Sequence, residues 1–185
     1  GAGSSTRIAA GVIGRPTATP YDVLVIDRGI DDGITTSAPV YLGVDQVIGF
    51  VAEAYPKSSV VALASTPDFE LTAHIIGPNI YTTARGIGGG TLEVSVPQGI
   101  LLSVGDLVVL PTFGAGVYGS IEFVDSVPTE PEQYGYVTLR TPLQSIRWVS
   151  VGDRPLTSIS FEEAQEVIEE ANRNLAKVPV PQGVL

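Results

Sequence analysis

The sequence predicts an all-β fold, two small β-barrels with an added C-terminal α-helix. Between Arg7 and Val151 the chain holds about a dozen short segments rich in β-branched and aliphatic residues. The 185 residues include 21 Gly and 14 Pro, many of which lie between those segments as turn signals. Many short strands without interleaved helices are typical of barrels and sandwiches. Helical spacing of apolar residues near the C-terminus predicts the helix.

The predicted strands follow one another at short intervals. They cover residues 22–27, 47–54, 58–64, 71–76, 81–85, 91–96, 106–110, 120–127, 136–141 and 146–151. The turns between them are marked by Asp32-Gly33, Tyr55-Pro56, Thr66-Pro67, Gly77-Pro78, Gly88-Gly89-Gly90 and Pro97-Gln98-Gly99. We assign residues 6–77 to the first barrel and residues 78–133 to the second. Residues 134–151 are expected to return and complete the first barrel.

The C-terminal segment has the signature of a helix over residues 161–176, after a linker that begins at residue 152. Ser160 and Glu163 form a capping box, in which each side chain accepts from the other residue's backbone N–H. An apolar stripe recurs at helical spacing: Phe161, Ala164, Val167, Ile168, Ala171 and Leu175. Pro179 and Pro181 prevent the helix from continuing.

Composition excludes several classes of protein. The formal net charge of −10 disfavours nucleic acid and anionic lipid surfaces as partners. Cys is absent, so disulfides are excluded and the redox compartment stays open. Met is also absent, so we expect a fragment of a longer protein, with residues 1–5 a cloning remnant. No apolar run approaches the roughly 18 residues of a membrane span, so any anchor is expected outside this sequence.

Two motifs suggest ligands but are better explained structurally. Three carboxylates between Asp27 and Asp32 suggest calcium, yet a calcium loop starting at Asp27 needs Gly at 32 and Glu at 38. We therefore predict a tight turn at Asp32-Gly33 and no metal site. Residues 86–90 (GIGGG) resemble a phosphate cradle, but a strand pattern follows instead of a helix. We predict a flexible hairpin there, which is also a candidate hinge, and no cofactor.

The enzyme alternative is a serine hydrolase. His74, Asp106 and Ser120 occur in the chain order of the chymotrypsin triad, and double β-barrels host such enzymes. However, His74 lies in an apolar strand, and no glycine-rich turn beside Ser120 builds an oxyanion hole. We predict no catalytic residues and no enzymatic activity.

Six stretches, in order, resemble the MreC family of rod-shape-determining proteins. They are residues 10–15 (AGVIGR), 26–34 (IDRGIDDGI), 47–59 (VIGFVAEAYPKSS) with the run on to Asp68, 85–93 (RGIGGGTLE), 103–110 (SVGDLVVL) with the 114–119 loop, and 143–151 (LQSIRWVSV). Residues 35–38 (TTSA), Phe50 and the C-terminal helix depart from the family pattern. The resemblance implies two small barrels preceded by a coiled coil and a membrane-spanning helix.

The resemblance also implies a function without chemistry. Proteins of this family scaffold the cell-wall elongation complex on the outer face of the bacterial cytoplasmic membrane. The implied partners are the class B penicillin-binding transpeptidase, MreD and further copies of the same chain, as dimers or filaments. The alternative is an extracytoplasmic β-barrel binding module of another family, and after it the hydrolase above.

Large apolar residues in turns and strands are the candidate contacts for a protein partner. Residues 113–120 form an apolar stretch that is either an exposed contact loop or the cap of a barrel end. The candidates are Phe113, Val117, Tyr118, Tyr41 and Phe50.

Overall fold

The structure, a computed structural model, describes residues 6–15, 22–113 and 116–153, and this part of the chain is all-β as predicted. The strands are β1 (Ile8–Gly14), β2 (Val23–Ile26), β3 (Pro39–Leu42), β4 (Gln46–Ala54), β5 (Ser59–Leu63), β6 (Glu70–Ile76), β7 (Ile80–Gly88), β8 (Thr91–Pro97), β9 (Leu107–Leu110), β10 (Gly116–Ser120), β11 (Phe123–Asp125), β12 (Glu132–Thr138) and β13 (Trp148–Val151). Short 3₁₀ turns lie at Ile30–Asp32, Pro111–Phe113 and Leu143–Ser145. The predicted linker and helix (161–176) fall outside the described residues, apart from the linker's first two positions.

Six strands form a closed antiparallel barrel. Their order around the barrel is β1, β2, β5, β4, β3 and β13, and β13 pairs again with β1. Closure pairs these strands with one another around the ring and leaves the start of β4, at Gln46, for pairing with a strand outside the barrel. The interior is filled by buried aliphatic side chains that include Ala10, Leu24, Ile26, Val40, Ile48 and Val61.

The other seven strands extend from β4 as a second sheet. β10 runs parallel to β4, with Val117 opposite Gln46, and the order continues β9, β6, β7, β8, β12, β11. Period-two alternation explains why these segments are strands with one buried face. In β6 the residues Leu71, Ala73 and Ile75 point inward, and in β8 the residues Leu92, Val94 and Val96 do so.

The strands divide between the two sheets differently from the expected domain boundaries. β6, expected in the first barrel, pairs with β7 and β9. The reason is that Gly77-Pro78-Asn79 is the turn of a β6–β7 hairpin, with φ of +131° at Gly77 and +54° at Asn79. Of the expected returning segment 134–151, only β13 joins the closed barrel, because β12 pairs with β8. Among the described residues the strand pairing closes one barrel, and the second stays a prediction.

Candidate functional site

Aromatic side chains fill the seam where the closed barrel meets the second sheet. Phe50 of β4 stacks on Phe113, with ring centroids 5.8 Å apart, and lies 6.1 Å from the ring of Phe69. All three rings are buried. Offset aromatic pairs at these distances stabilise a core beyond the area that they bury. The seam is therefore a packed interior that joins the two sheets.

A buried carboxylate fixes the glycine turn of the second sheet to the barrel. Asp22, at the start of β2, accepts hydrogen bonds from the backbone N–H groups of Gly89 (3.2 Å) and Gly90 (3.4 Å). The hydroxyl of Ser65 donates to the same carboxylate. Gly88, Gly89 and Gly90 have φ values between +66° and +90°, a region that side chains with a Cβ disfavour. The glycines thus bring their amides to the carboxylate, and the predicted hinge is pinned to the barrel.

Tyr118 of β10 closes this network from the other side. Its side chain is fully buried, and its hydroxyl donates to the carbonyl of Gly90 at 2.6 Å. Burial raises the pKa of the Tyr118 phenol far above its usual range, and the nearby charge of Asp22 acts in the same direction. Tyr118 is therefore a neutral hydrogen-bond donor across the seam.

The outer surface of the seam carries a groove of about 330 Å³. Its walls are Asp45, Gln46, Leu107, Val117, Tyr118, Gly119, Ser120 and Arg140. The Gln46 side-chain amide donates to the carbonyl of Tyr118 at 2.9 Å and so holds β10 against the barrel. Leu107, 41% exposed, lies opposite Ile76, which is also exposed. We call this feature the seam groove; it offers apolar contacts between one exposed acid and one exposed base.

The five candidate contact residues separate into two groups. Phe50, Phe113 and Tyr118 are at most 1% exposed and offer no surface to a partner. Phe113 stacks on Phe50 in the seam, and the capping of a barrel end by residues 113–120 stays a prediction. Val117 lines the seam groove. Tyr41 is half-buried on β3, the strand next to β4 in the barrel wall. The contact role of Val117 and Tyr41 stays a proposal.

A second surface, which the sequence did not indicate, lies on the outer wall of the barrel. Trp148, the chain's single tryptophan, is 68% exposed and stands opposite Gly11, whose N–H donates to the Asp27 carboxylate at 2.7 Å. Ile13, diagonal to Trp148 on β1, is 64% exposed. Arg147 precedes Trp148 in sequence, and the Arg15 guanidinium donates to the carbonyl of Ile146.

Tyr41 and Arg7 border the same wall. Ser150, two residues after Trp148, pairs with Tyr41. The Arg7 guanidinium lies 3.7 Å from the centre of the Tyr41 ring and donates to the carbonyl of Val44. We call the set Trp148, Ile13, Tyr41, Arg7, Arg15 and Arg147 the Trp148 surface. Trp, Tyr and Arg are the residue types that dominate protein interfaces, and a Trp beside an Arg was the available sequence signal.

The hydrolase candidates do not form a triad. His74 Nε2 hydrogen-bonds Asn79 Oδ1 at 2.8 Å, and its ring stacks on Tyr81. The Asp106 carboxylate accepts from the backbone N–H of Ser103 at 2.9 Å. Within the described ranges, no hydrogen bond joins His74, Asp106 and Ser120 to one another.

The three carboxylates considered for calcium have separate roles. Asp27 accepts from the N–H of Gly11 at 2.7 Å, and Asp32 accepts from the N–H of Gly29 at 3.0 Å. Asp31 lies 3.9 Å from the ammonium of Lys57. Gly33 has φ +90°, as the predicted tight turn requires. In the part of the chain that the structure describes, no group of three or more His, Cys, Asp or Glu could hold a metal ion.

The sequence matches the family model described as "Rod shape-determining protein MreC, barrel core" over residues 12–153. The match begins within β1 and covers the rest of the closed barrel and the whole second sheet, more than three quarters of the chain. The chain belongs to the MreC family. No curated protein sequence matches it.

Solved MreC structures have the same fold. The MreC crystal structure from Pseudomonas aeruginosa superposes with a TM-score of 0.70 at 20% identity, over 79% of this chain and 98% of that one. A structure named "MreC" gives 0.71 at 21% identity, over 80% and 88%. The major periplasmic domain of "the cell shape-determining filament MreC" gives 0.61 at 18% identity, over 80% and 95%. All six MreC-like stretches of the sequence lie in the region that the family model covers or at its start.

No helix among the described residues is long and apolar enough to cross a membrane.

Proposed function

We propose that this MreC-family chain is a non-catalytic scaffold of the bacterial wall-elongation complex, working on the outer face of the cytoplasmic membrane. The family's shape-determining role and the periplasmic origin of one similar structure support this placement. The membrane anchor and coiled coil that the family resemblance implies belong to the same proposal.

The observation that carries the proposal is the rigid seam. A scaffold can hold its partners in place only if its own parts keep fixed positions. Here a buried carboxylate, three packed aromatic rings and the β4–β10 pairing join the barrel to the second sheet. Each of these contacts is between residues far apart in sequence. The two sheets therefore act as one rigid unit, and the seam groove lies on its outer surface.

We propose the seam groove as the docking site for a class B penicillin-binding transpeptidase, with MreD and further copies of the chain as other partners. Val117 and Leu107 provide its apolar centre, and Asp45 and Arg140 its charged rim. Apolar centres with polar rims are the usual anatomy of protein interfaces. Self-association is supported by the filament described for one similar structure.

We further propose that the second sheet is a second barrel and that residues 161–176 are a helix. Gly119 of β10 faces β12 so closely that an added Cβ would lie 2.9 Å from Val137 Cγ2. The two strands thus approach each other although β9, β6, β7 and β8 lie between them in the pairing order. The absence of enzymatic activity is part of the same proposal, supported by His74 being engaged with Asn79 instead of with an acid.

Binding to the ectodomain of the transpeptidase from the same organism, measured by interferometry, tests the scaffold role. Leu107→Asp adds a charge to the seam groove and is expected to weaken binding about 10-fold or more, since a central apolar contact contributes at least ~1.4 kcal/mol. Val127→Asp is the matched control, because Val127 is 44% exposed but lies in the loop after β11, at the other end of the sheet order.

Equal affinity of the Leu107→Asp and unchanged chains would exclude the seam groove as the docking site. No binding at any accessible concentration would contradict direct docking of this part of the chain. Loss of a measurable hydrolytic activity on Ser120→Ala would contradict the non-catalytic role.

A further inference from the structure

The end of the second sheet where β8 leads into β9 carries exposed apolar side chains. Leu101 is 80% exposed and Val104 is 67% exposed in the loop between these strands, and Val127 is 44% exposed in the loop between β11 and β12. Both loops lie at the same end of the sheet, because Pro97 at the end of β8 pairs with Glu132 at the start of β12. We call Leu101, Val104 and Val127 the distal tip. Apolar exposure that is grouped at one place is typical of interaction surfaces.

The loops that form the distal tip are fixed to their neighbours. The Gln98 N–H donates to the carbonyl of Pro131 at 2.9 Å, and the Gln98 side-chain amide donates to the carbonyl of Val127 at 3.0 Å. The Gly105 N–H donates to the carbonyl of Ile121 at 2.8 Å. The surface is therefore preorganised, and a partner binds it without the entropic cost of ordering these loops.

A cavity of about 420 Å³ opens beside Leu101. Its walls are Gly77, Pro78, Ile100, Leu101, Ser103 and Asp106, and it shares no residue with the seam groove. The Asp106 Oδ2 atom accepts from the Ser103 N–H at 2.9 Å. A Cβ at Gly77 would lie 2.4 Å from Asp106 Oδ1, so a glycine at this position leaves that oxygen uncovered on the cavity wall. The cavity thus offers a carboxylate oxygen next to an apolar surface.

The charge of this part of the chain has one sign. Residues 86–139 contain no Lys, Arg or His and contribute −6 of the net charge of −10, through Glu93, Asp106, Glu122, Asp125, Glu130 and Glu132. Two of these acids adjoin the distal tip, since Asp106 lines the cavity and the Glu130 N–H donates to the carbonyl of Val127. Apolar side chains beside acids complement a partner that has apolar side chains beside bases.

We propose that the distal tip is a second docking surface, for a protein segment in which apolar side chains are flanked by Lys or Arg. The apolar side chains cover Leu101 and Val104, and one cationic side chain enters the cavity and binds Asp106 Oδ1. The same acids disfavour an anionic lipid surface as the occupant. The proposal does not depend on the seam groove or on the transpeptidase.

Amide NMR spectra of the isotope-labelled 185-residue chain test the proposal, with a short synthetic peptide in which two leucines are flanked by lysines as the probe. We expect the signals of residues 98–106 and 126–131 to shift on titration. Changing Leu101→Ser together with Val104→Ser removes two exposed apolar contacts and is expected to weaken binding about 10-fold. Val44→Ser is the matched control and should leave the affinity unchanged, because Val44 is also 80% exposed but lies in the β3–β4 turn of the barrel.

The charge of the cavity is tested separately. Asp106→Asn keeps an oxygen acceptor for the Ser103 N–H and removes the negative charge, so we expect about five-fold weaker binding of the same peptide. A peptide with serines in place of the leucines, and one with glutamates in place of the lysines, should each bind about 10-fold more weakly than the probe.

Equal affinity of the probe for the Leu101 and Val104 variant and for Val44→Ser would overturn the proposal. Equal binding of the serine peptide would also overturn it, because attraction between net charges would then suffice. The same conclusion would follow if the unchanged chain bound phosphatidylglycerol vesicles and lost that binding in the Leu101 and Val104 variant, since the distal tip would then contact lipid. Shifts confined to residues 98–106 and 126–131, which need both the leucines and the lysines of the probe, support the proposal.

Discussion

Removing the carboxylate of Asp22 tests whether one buried group holds the two sheets together. In Asp22→Ala the Ser65 hydroxyl and the N–H groups of Gly89 and Gly90 lose their acceptor. Ser65 and Gly90 are buried, so water cannot readily replace the carboxylate. The glycine turn would then be held by the Tyr118 hydroxyl, which donates to the Gly90 carbonyl, and by the Gly88 N–H, which donates to the carbonyl of Ser65 at 2.8 Å.

The magnitude follows from the three contacts. A hydrogen bond to a charged acceptor contributes about 1.5–3 kcal/mol net, which applies to the Ser65 contact. The two N–H contacts, at 3.2 and 3.4 Å, are at or beyond the long end of the normal range and add about 0.5 kcal/mol each. We expect Asp22→Ala to lower the free energy of unfolding by about 3 kcal/mol, a large part of the ~5–15 kcal/mol of a typical domain.

Urea unfolding followed by far-UV circular dichroism measures this loss. Asp31→Ala is the matched control, because the Asp31 carboxylate is exposed and lies 3.9 Å from Lys57, a contact of at most about 0.5 kcal/mol. Asp22→Asn keeps the side-chain size and separates the loss of charge from the loss of packing. A loss below about 1 kcal/mol in Asp22→Ala, or one equal to that of Asp31→Ala, would refute the view that the carboxylate fixes the turn.

Two further changes test the seam. The pKa of Tyr118 is raised in the fold, so its stabilising effect is complete below the ordinary phenol pKa of 10.0 and is lost as pH rises above it. Above about pH 10 the unfolding free energy of the unchanged chain should therefore fall more steeply than that of Tyr118→Phe, by up to ~1.4 kcal/mol per pH unit, and parallel profiles would contradict this. Gly86→Ala places a Cβ 2.0 Å from the carbonyl oxygen of Thr66 and should cost about 3 kcal/mol or more, whereas Gly43→Ala, with φ +64° in open space, should cost about 1 kcal/mol. Thermal melts compare the two, and similar losses would show that the seam accommodates the extra methyl.

The alternation of apolar and polar residues predicted the strands that have one solvent-exposed face. β6 and β8 alternate along their length, and the structure places both within two residues of the predicted bounds. β3 was missed because it is four residues long and begins with Pro39, which has no N–H to donate to a ladder. The sequence of β10 lacks a strand pattern because Gly116 and Gly119 interrupt its apolar residues. Gly116 is nevertheless required there, because an added Cβ would lie 2.8 Å from the Val47 side chain.

Contacts between distant segments could not be predicted in the same way. Phe50 and Phe113 are large apolar residues that the sequence offers as surface contacts, but each is covered by the ring of the other, about 60 residues away in the chain. Trp148 shows the reverse case. Its strand looked like any apolar strand, and its exposure follows only from the register that sets Gly11 beside it.

The glycine turn, residues 88–90, has a local sequence pattern and also a contact with a distant segment. Its sequence suggested a cradle for a phosphate or a hinge, and its amides do bind an oxyanion, but the oxyanion is the Asp22 carboxylate, 67 residues before Gly89. A turn whose amides are satisfied by the protein's own buried acid is not open to a phosphate. The same contact removes the freedom of the hinge, because bending there would leave a buried charge without its donors. Because the amides of the turn bind an internal carboxylate, the turn favours a rigid connection between the two sheets over a ligand-binding site. Rigidity is the property that a scaffold needs.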